Sequence, residues 1–391
     1  MPDLMTPTPE HQALREMVRS FAEREVDPQA AEHDRNESFN LPLFRKLGEL
    51  GLLGVTVPER FGGSELDATA AVIVHEELAA ADPGFTLSYL AHAMLFANNL
   101  ARNGSDAQRL RFLPDACSGK AIGGMAMSEP GAGTDVLGMQ TRAVRDGDHF
   151  VLDGAKMWIT NGAISATELG DIFLVYARTS EGPRGLSLFL VEKGMPGFKL
   201  GQKLHDKLGM RASPTAELVF DGCRVPAANL IGEVGDAVSH MMRNLELERL
   251  TLAAMSLGIA RRSIEIMNAY ARERKAFGKP LHSFGQIQRH IADSYAEYMA
   301  GKAYVYATAA NLNLDSSGNR IDSDGVKLYC GTMAKNVADR AIQVLGGYGY
   351  VGEYKVERLW RDAKLIEIGG GTVEAHQKNM ARDLSSLDRL R

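Results

Sequence analysis

The chain has 391 residues, 45% hydrophobic and 24% charged, with Lys+Arg 44 against Asp+Glu 49 and a formal net charge of -5. That balance excludes a polyanion-binding surface and so argues against a nucleic-acid partner; the length implies two or three domains around a large core. Three cysteines, Cys117, Cys223 and Cys330, are too few and too scattered for a zinc site or a disulfide framework, which points to a reducing compartment and no metal.

The N-terminus, Met1 to Glu10, has neither the plan of a signal peptide nor that of a transit peptide, and no apolar run reaches the roughly twenty residues that span a bilayer. Thr8 followed by Pro9 reads as a capped helix start, with Leu14, Val18 and Phe21 recurring at helical spacing. Further helices are expected over Leu41–Leu50, Asp67–Ala80 and Thr86–Asn103, the last stopped by Gly104. A Pro/Gly loop, Val57–Gly63, separates the first two of these.

Near Ala121 the period changes. His149–Leu152, Ile172–Tyr176, Leu186–Val191 and Ala216–Phe220 are short runs rich in β-branched and aromatic residues, bounded by turn pairs such as Asp146-Gly147 and Asp221-Gly222. No helix-length segment lies between consecutive runs, so antiparallel pairing is expected and a βαβ dinucleotide fold is not. Two loops in this region could face a ligand. Ser128–Asp135 offers small residues, hydroxyls and open backbone, and Trp158–Gly162 sets one of two tryptophans beside a hydroxyl and a turn.

After about Gly235 helical patterns return over Arg249–Lys275, His282–Asn311, Asp324–Val344 and Lys355–Ile366. The stretch Met241–Ala260 is the most informative. Met241, Leu245, Glu248, Leu252, Met255 and Ile259 fall on one helical face, so a single carboxylate interrupts an apolar stripe. Burial without a partner raises a carboxylate's pKa and suits it to take a proton from carbon; an edge position or a neighbouring base such as Arg249 would instead make it structural.

Met127–Val136, Lys156–Gly162, Arg274–Pro280, Gln343–Gly349 and Arg361–Lys364 together resemble, in order and spacing, the flavin-dependent acyl-CoA dehydrogenases over nearly the whole chain. The resemblance implies an α+β architecture: an N-terminal helical domain (1–122), a central antiparallel β-barrel-like domain (123–235) and a C-terminal four-helix bundle (236–391). It implies FAD as cofactor, an acyl-CoA substrate, an electron-transfer flavoprotein as acceptor and a homotetramer, in the bacterial cytoplasm or, for a processed eukaryotic form, the mitochondrial matrix. Carried over by position, Met127, Ser128, Gly133, Trp158, Ile159 and Thr160 are expected around the flavin ring. Arg274, Phe277, Gln343, Gly346 and Gly347 are expected at its pyrophosphate and adenine across a subunit boundary, with Thr372 and Glu374 also touching FAD. Thr134, Arg184, Glu246, Arg249, Gly370 and Gly371 are expected at the thioester.

Many members of the family carry the catalytic glutamate just before the Gly-Thr of the C-terminal segment, where this chain has only Gly370 and Gly371. A subgroup that includes isovaleryl-CoA, long-chain and citronellyl-type enzymes carries it where Glu248 stands. The resemblance therefore implies that Glu248 is the base and that a trans-2-enoyl-CoA is the product. The absent side chains at 370 and 371 are expected to open space for a branched acyl group. Gly285, where the family has Gln, and Ser239, where isovaleryl enzymes have Tyr, depart from the pattern. Competing readings are an acyl-CoA oxidase, a citronellyl or medium-to-long-chain dehydrogenase, a flavin monooxygenase and a helical binding scaffold.

Overall fold

Thr8 caps the first helix as expected: its Oγ1 accepts the His11 N–H at 3.3 Å and Pro9 opens α1 (Pro9–Phe21). The computed structural model describes residues 4–182 and 185–388. A five-residue π turn leads from α1 into α2 (Asp27–Arg35), followed by α3 (Leu41–Glu49) and α4 (Ala68–Ala81). α5 (Pro83–Leu90) passes through a π-helical stretch, Ala91–Asn98, into α6 (Asn99–Asn103). The expected helix over 86–103 is thus one rod with a wide turn, and Gly104 ends it in extended rather than left-handed geometry. α7 (Asp106–Cys117) was not expected. It starts on a reciprocal capping box between Ser105 and Gln108, and Pro114 within it hides its helical character.

The central sheet contains β1 (Gly123–Ala126), β2 (Arg142–Asp146), β3 (His149–Thr160), β4 (Ile172–Arg178), β5 (Leu186–Glu192), β6 (Phe198–Lys203), β7 (Thr215–Pro226) and β8 (Leu230–Ile231). Its order is β6-β7-β3-β2-β4-β5-β8, with β1 on β4. Pairing is antiparallel with two exceptions, β1–β4 and the single β2–β4 pair, which are parallel. β1, Gly-Gly-Met-Ala, carries too little β propensity to be read as a strand; it forms because β4 presents a paired edge.

α8 (Ala237–Glu273) is a single helix of 37 residues, roughly 55 Å long at 1.5 Å per residue. The hairpin β9 (Lys275–Ala276) and β10 (Lys279–Pro280) follows, then α9 (Gly285–Asn311), α10 (Arg320–Leu345), the short α11 (Gly347–Tyr350), α12 (Val356–Ile366) and α13 (Val373–Leu384). α8 crosses α4 closely at Gly258, where a Cβ would stand 2.4 Å from the Glu76 carbonyl oxygen. One apolar core joins these helices: Val72, Leu78, Leu250, Met255, Ile259, Val305 and Val337 all belong to it. Among the described residues, no helix is long and apolar enough to cross a membrane.

Two carboxylates on α4 are fully buried inside this core and satisfied by cations. Glu76 meets Arg15 at 3.0 Å and Lys302 at 3.1 Å, and Glu77 meets Arg15, Arg19 and Arg261. Burial alone would raise the Glu76 pKa, but Lys302, Arg15 and Arg261 overcome it and hold the group down to about 2. This cluster ties α1, α4, α8 and α9 together.

Candidate active site

The stripe on α8 forms as its spacing requires: Met241, Leu245, Glu248, Leu252, Met255 and Ile259 are all buried. Glu248 is 7% exposed, and its Oε2 is buried with no hydrogen-bond partner. Burial raises its pKa, and the charges of Arg249 and Lys327 only partly counter this. A raised carboxylate is not by itself a site. Asp362 on α12 is raised to about 7, again chiefly by burial, yet it accepts the Met210 N–H at 2.5 Å and joins the bundle to the sheet. Glu248 differs in having an oxygen that nothing among the described residues satisfies.

The turn after α12 brings Gly370 against it. Gly370 has φ +67, and a Cβ there would stand 3.5 Å from Glu248 Oε1 but only 2.3 Å from Leu252 Cδ1. Gly371 has φ +100, and its Cβ would meet the His376 ring at 2.9 Å. The expectation of open space at these glycines is therefore corrected: Leu252 and His376 fill the directions in which their side chains would point. Backbone strain and contact both demand glycine here. Ile368 and Gly369 N–H bond to the Leu365 carbonyl at 2.9 and 2.7 Å, whereas the Gly370 N–H has no partner among the described residues. A bare donor and a bare carboxylate thus lie side by side.

On the sheet side, the Ser128–Asp135 loop is anchored by a residue pair to which the sequence reading assigned no role. Lys156, 0% exposed, donates to Glu129 Oε1 at 2.9 Å and to the Met127 carbonyl at 3.0 Å, while the Gln140 and Thr141 N–H groups donate to the same carboxylate. Both residues sit inside the quoted motifs, but neither spacing nor type revealed the ion pair. The Ser128 carbonyl accepts the Met157 N–H at 2.9 Å, and the backbone at Gly133 and Thr134 is exposed, with nothing near the place of a Gly133 Cβ. Trp158 lies at a register shift between β3 and β7 with φ 61, its side chain 54% exposed. Thr160, half-buried, pairs with Thr215. Ile159 turns the other way, into the core of the sheet domain with Leu218 and Phe220, so only its backbone faces the loop. An uncovered indole beside open backbone and hydroxyls fits a flat heteroaromatic ring.

A second group gathers at the far end of α8, about 39 Å from Glu248 along the helix axis. Arg274, Tyr270, Leu281, Val344, Leu345, Gly347, Tyr348 and Val351 line an open cleft of about 440 Å³. No acceptor for the Arg274 side chain is found among the described residues, and Phe277 is 95% exposed with φ 52. Gln343, Gly346 and Gly347 are exposed beside it, Gly346 at φ 61. A cation without a partner and an aromatic face in water fit the anionic linker and adenine of a dinucleotide. One chain does not bring this group to the sheet-side ring site.

The remaining expected residues have partners of their own. Glu246 accepts the N–H groups of Gly318 and Asn319, fixing the loop before α10, and Arg249 pairs with Asp324 at 3.0 Å. Thr372 caps α13 by accepting the Ala375 N–H, and Glu374 is exposed in its first turn. Ser239 is exposed and donates to the Asp236 carbonyl; Gly285 opens α9 with free space around it. Arg184 lies outside the described residues. Three buried groups near the bare carboxylate were not foreseen. Lys327, lowered to about 8 by burial, donates to the carbonyls of Ile366 and Gly371; His376 lies against Gly371; and the buried Tyr176 hydroxyl feels the Glu248 charge. A polar residue beside buried apolar neighbours was the only available signal for Lys327, and His376, in a largely polar helix, offered none.

The acyl-CoA dehydrogenase N-terminal, middle and C-terminal domain families match residues 8–120, 124–223 and 238–385. The mitochondrial isovaleryl-CoA dehydrogenase of Oryza sativa subsp. japonica is 42% identical over 95% of this chain and 90% of its own length. The butyryl-CoA dehydrogenase of Megasphaera elsdenii superposes with a TM-score of 0.92 at 34% identity, covering 98% of this chain and 99% of that one. A chain solved in work on the electron transferring flavoprotein of Acidaminococcus fermentans superposes with a TM-score of 0.93 at 34% identity, covering 97% and 99%.

Proposed function

Since the chain belongs to the acyl-CoA dehydrogenase family, whose members are FAD-dependent flavoproteins, we propose that this oxidoreductase desaturates an acyl-CoA between its α and β carbons with Glu248 as the base. The observation that carries the reading is the unpartnered, buried Oε2 of Glu248 beside Gly370, at the position from which the usual glutamate is missing.

The ionised Glu248 carboxylate takes the proton from the carbon next to the thioester carbonyl. Desolvation makes it a stronger base than a surface glutamate, while Arg249 and Lys327 keep the charged form accessible. The Gly370 N–H, free of partners among the described residues, donates to the carbonyl oxygen and stabilises the enolate-like charge that develops there. FAD supplies the acceptor for the hydride that leaves the β carbon, giving a trans-2-enoyl-CoA. Met127, Ser128, Gly133, Trp158, Thr160 and the Ile159 backbone would hold its ring, and Thr134 would contact the ring or the thioester beside it. Arg274, Phe277, Gln343, Gly346 and Gly347 of a neighbouring copy would hold its pyrophosphate and adenine, and Thr372 and Glu374 would also touch FAD. The distance of the Arg274 group from Glu248 supports completion of the site by a neighbouring copy, and family membership supports a homotetramer as the assembly that provides it.

Within the acyl-CoAs we assign a short branched chain of the isovaleryl type. Likeness to the isovaleryl enzyme and the base on α8 support it, whereas the filled space at Gly370 and Gly371 lends nothing. Arg249 and Arg184 are assigned to the coenzyme A side, whereas the Glu246 carboxylate is held by the Gly318 and Asn319 N–H groups and is not. Electrons pass to an electron-transfer flavoprotein, supported by the likeness to the Acidaminococcus chain, and three free, buried cysteines support a reducing, cytoplasmic setting. Isovaleryl-, isobutyryl-, butyryl-, octanoyl- and citronellyl-CoA, compared by the rate at which each bleaches the bound flavin, test the substrate. Isovaleryl-CoA is expected fastest; preference for butyryl- or octanoyl-CoA overturns the branched assignment, and oxygen uptake at the turnover rate indicates an oxidase.

A further inference from the structure

His376, in the first turn of α13, is 1% exposed. Its Nδ1 lies 2.5 Å from Asp324 Oδ1 and its Nε2 lies 3.0 Å from the Gly371 carbonyl oxygen. Both facing atoms are hydrogen-bond acceptors. A neutral imidazole has one N–H and one lone pair, so it serves one contact and sets lone pair against lone pair at the other. The arrangement therefore calls for a proton on each ring nitrogen. Arg249 Nη1, 3.0 Å from the same Asp324 oxygen, favours the ionised carboxylate that pairs with such an imidazolium. The charged groups facing the ring are Asp324 and Lys327 of α10 and Arg249 of α8. Burial and the two cations work against the imidazolium and outweigh Asp324, so the pKa of the ring is lowered, and it is the two facing acceptors that call for the second proton.

Gly370 and Gly371 both have positive φ and no side chain, so their turn has little stiffness of its own. It is gripped from outside at its two ends. Lys327 Nζ bonds the Ile366 carbonyl and, at 3.1 Å, the Gly371 carbonyl, and His376 adds a second donor on Gly371. We propose that Asp324 and His376 form a positioning pair, an imidazolium on a carboxylate that pins the Gly371 carbonyl and so aims the Gly370 N–H at the reacting thioester oxygen. The aiming rests on the reading of Glu248 and Gly370 given above; the pinning does not.

The test uses holoenzyme of the wild type, His376→Gln and His376→Arg, with Glu248→Gln as reference. Gln has a single donor nitrogen and sets an acceptor oxygen in the other direction, while Arg carries a permanent charge with several donor nitrogens. Hydrogen exchange is followed on the peptide spanning 366–372, and flavin reduction by the best acyl-CoA in single turnovers. His376→Gln is expected to speed exchange in that peptide alone by about tenfold. It should slow reduction on the order of tenfold to a hundredfold with little change in half-saturation, and His376→Arg should recover both to within about threefold. Unchanged exchange overturns the proposal, as does an equal loss in the Gln and Arg variants, and faster exchange with unchanged reduction reduces the pair to scaffolding. If no acyl-CoA bleaches the wild-type flavin, the functional reading fails and the aiming with it, while exchange still decides the pinning. Should His376→Gln not fold, Asp324→Asn, which removes the carboxylate and keeps the shape, is read in the same two ways.

Discussion

Glu248 and Gly370 face each other across the turn after α12: a side chain at 370 would begin 3.5 Å from Glu248 Oε1. Leu252 Cδ1, 2.3 Å from that place, bars a side chain on the turn, so the carboxylate in this gap has to come from the helix. In this chain α8 supplies it, and the turn supplies a backbone N–H.

Replacing Glu248 by Gln leaves the shape and removes the proton acceptor. Flavin reduction by acyl-CoA should slow by roughly three orders of magnitude or more, with FAD and acyl-CoA still bound. Stopped-flow bleaching measures it, and a wild-type rate would falsify the base assignment.

The same substitution should stabilise the protein. A carboxylate whose folded pKa is raised contributes stability below its unfolded pKa, near 4.5, and loses it as pH rises through the folded value. Near neutral pH, Glu248→Gln should be more stable by about 0.5–2 kcal/mol, the range expected when a functional site gives up stability. The difference should vanish below about pH 4 in urea titrations. Equal stability at both pH values would mean that Glu248 is not held in the desolvated state described.

Gly370→Ala meets both a left-handed backbone and Leu252 Cδ1 at 2.3 Å. It should cost about 1–3 kcal/mol. Adding Leu252→Ala should return part of that loss, so the two changes will not add; strict additivity in a double-mutant cycle would show that contact with Leu252 is not the cause.

Glu76 behaves in the opposite sense to Glu248. Because its folded pKa is depressed to about 2 from 4.5, its contribution is complete above about pH 4.5 and is lost as pH falls toward 2. Glu76→Gln should remove about 3–5 kcal/mol at neutral pH, since Arg15 and Lys302 lose their buried partner. Chemical denaturation at pH 7 and pH 3 should show the penalty shrinking in acid.

Glu129→Gln should loosen the loop that carries Met127, Ser128 and Gly133, because Lys156 is left buried beside a neutral amide. FAD should dissociate roughly tenfold more readily, equivalent to about 1.4 kcal/mol. Flavin fluorescence on dilution measures the release; unchanged retention would separate the loop from cofactor binding.

Much of the fold was legible because its signals are local. Thr8-Pro9, the stripe on α8 and the β-branched runs of β4 and β5 are contained within a few residues, and each formed as read. β1 and α7 were missed where the local signal was weak or masked, by Gly-Gly in one case and by Pro114 in the other. The Glu129–Lys156 and Asp324–His376 pairs join residues 27 and 52 positions apart, a distance at which no periodicity operates.

The sequence alone determined that an acidic residue interrupts an apolar helical face and that the C-terminal turn offers only glycine. Glu246 and Glu248 are the same residue type two positions apart on one helix, and both are buried. Only the tertiary structure distinguished them. The loop before α10 brings the Gly318 and Asn319 N–H groups to Glu246 and commits its charge to the scaffold, while no described residue reaches Glu248 Oε2. Hydrogen-bond partners come from distant segments, so whether a buried carboxylate is satisfied or left reactive is decided by packing and not by its neighbours in the chain.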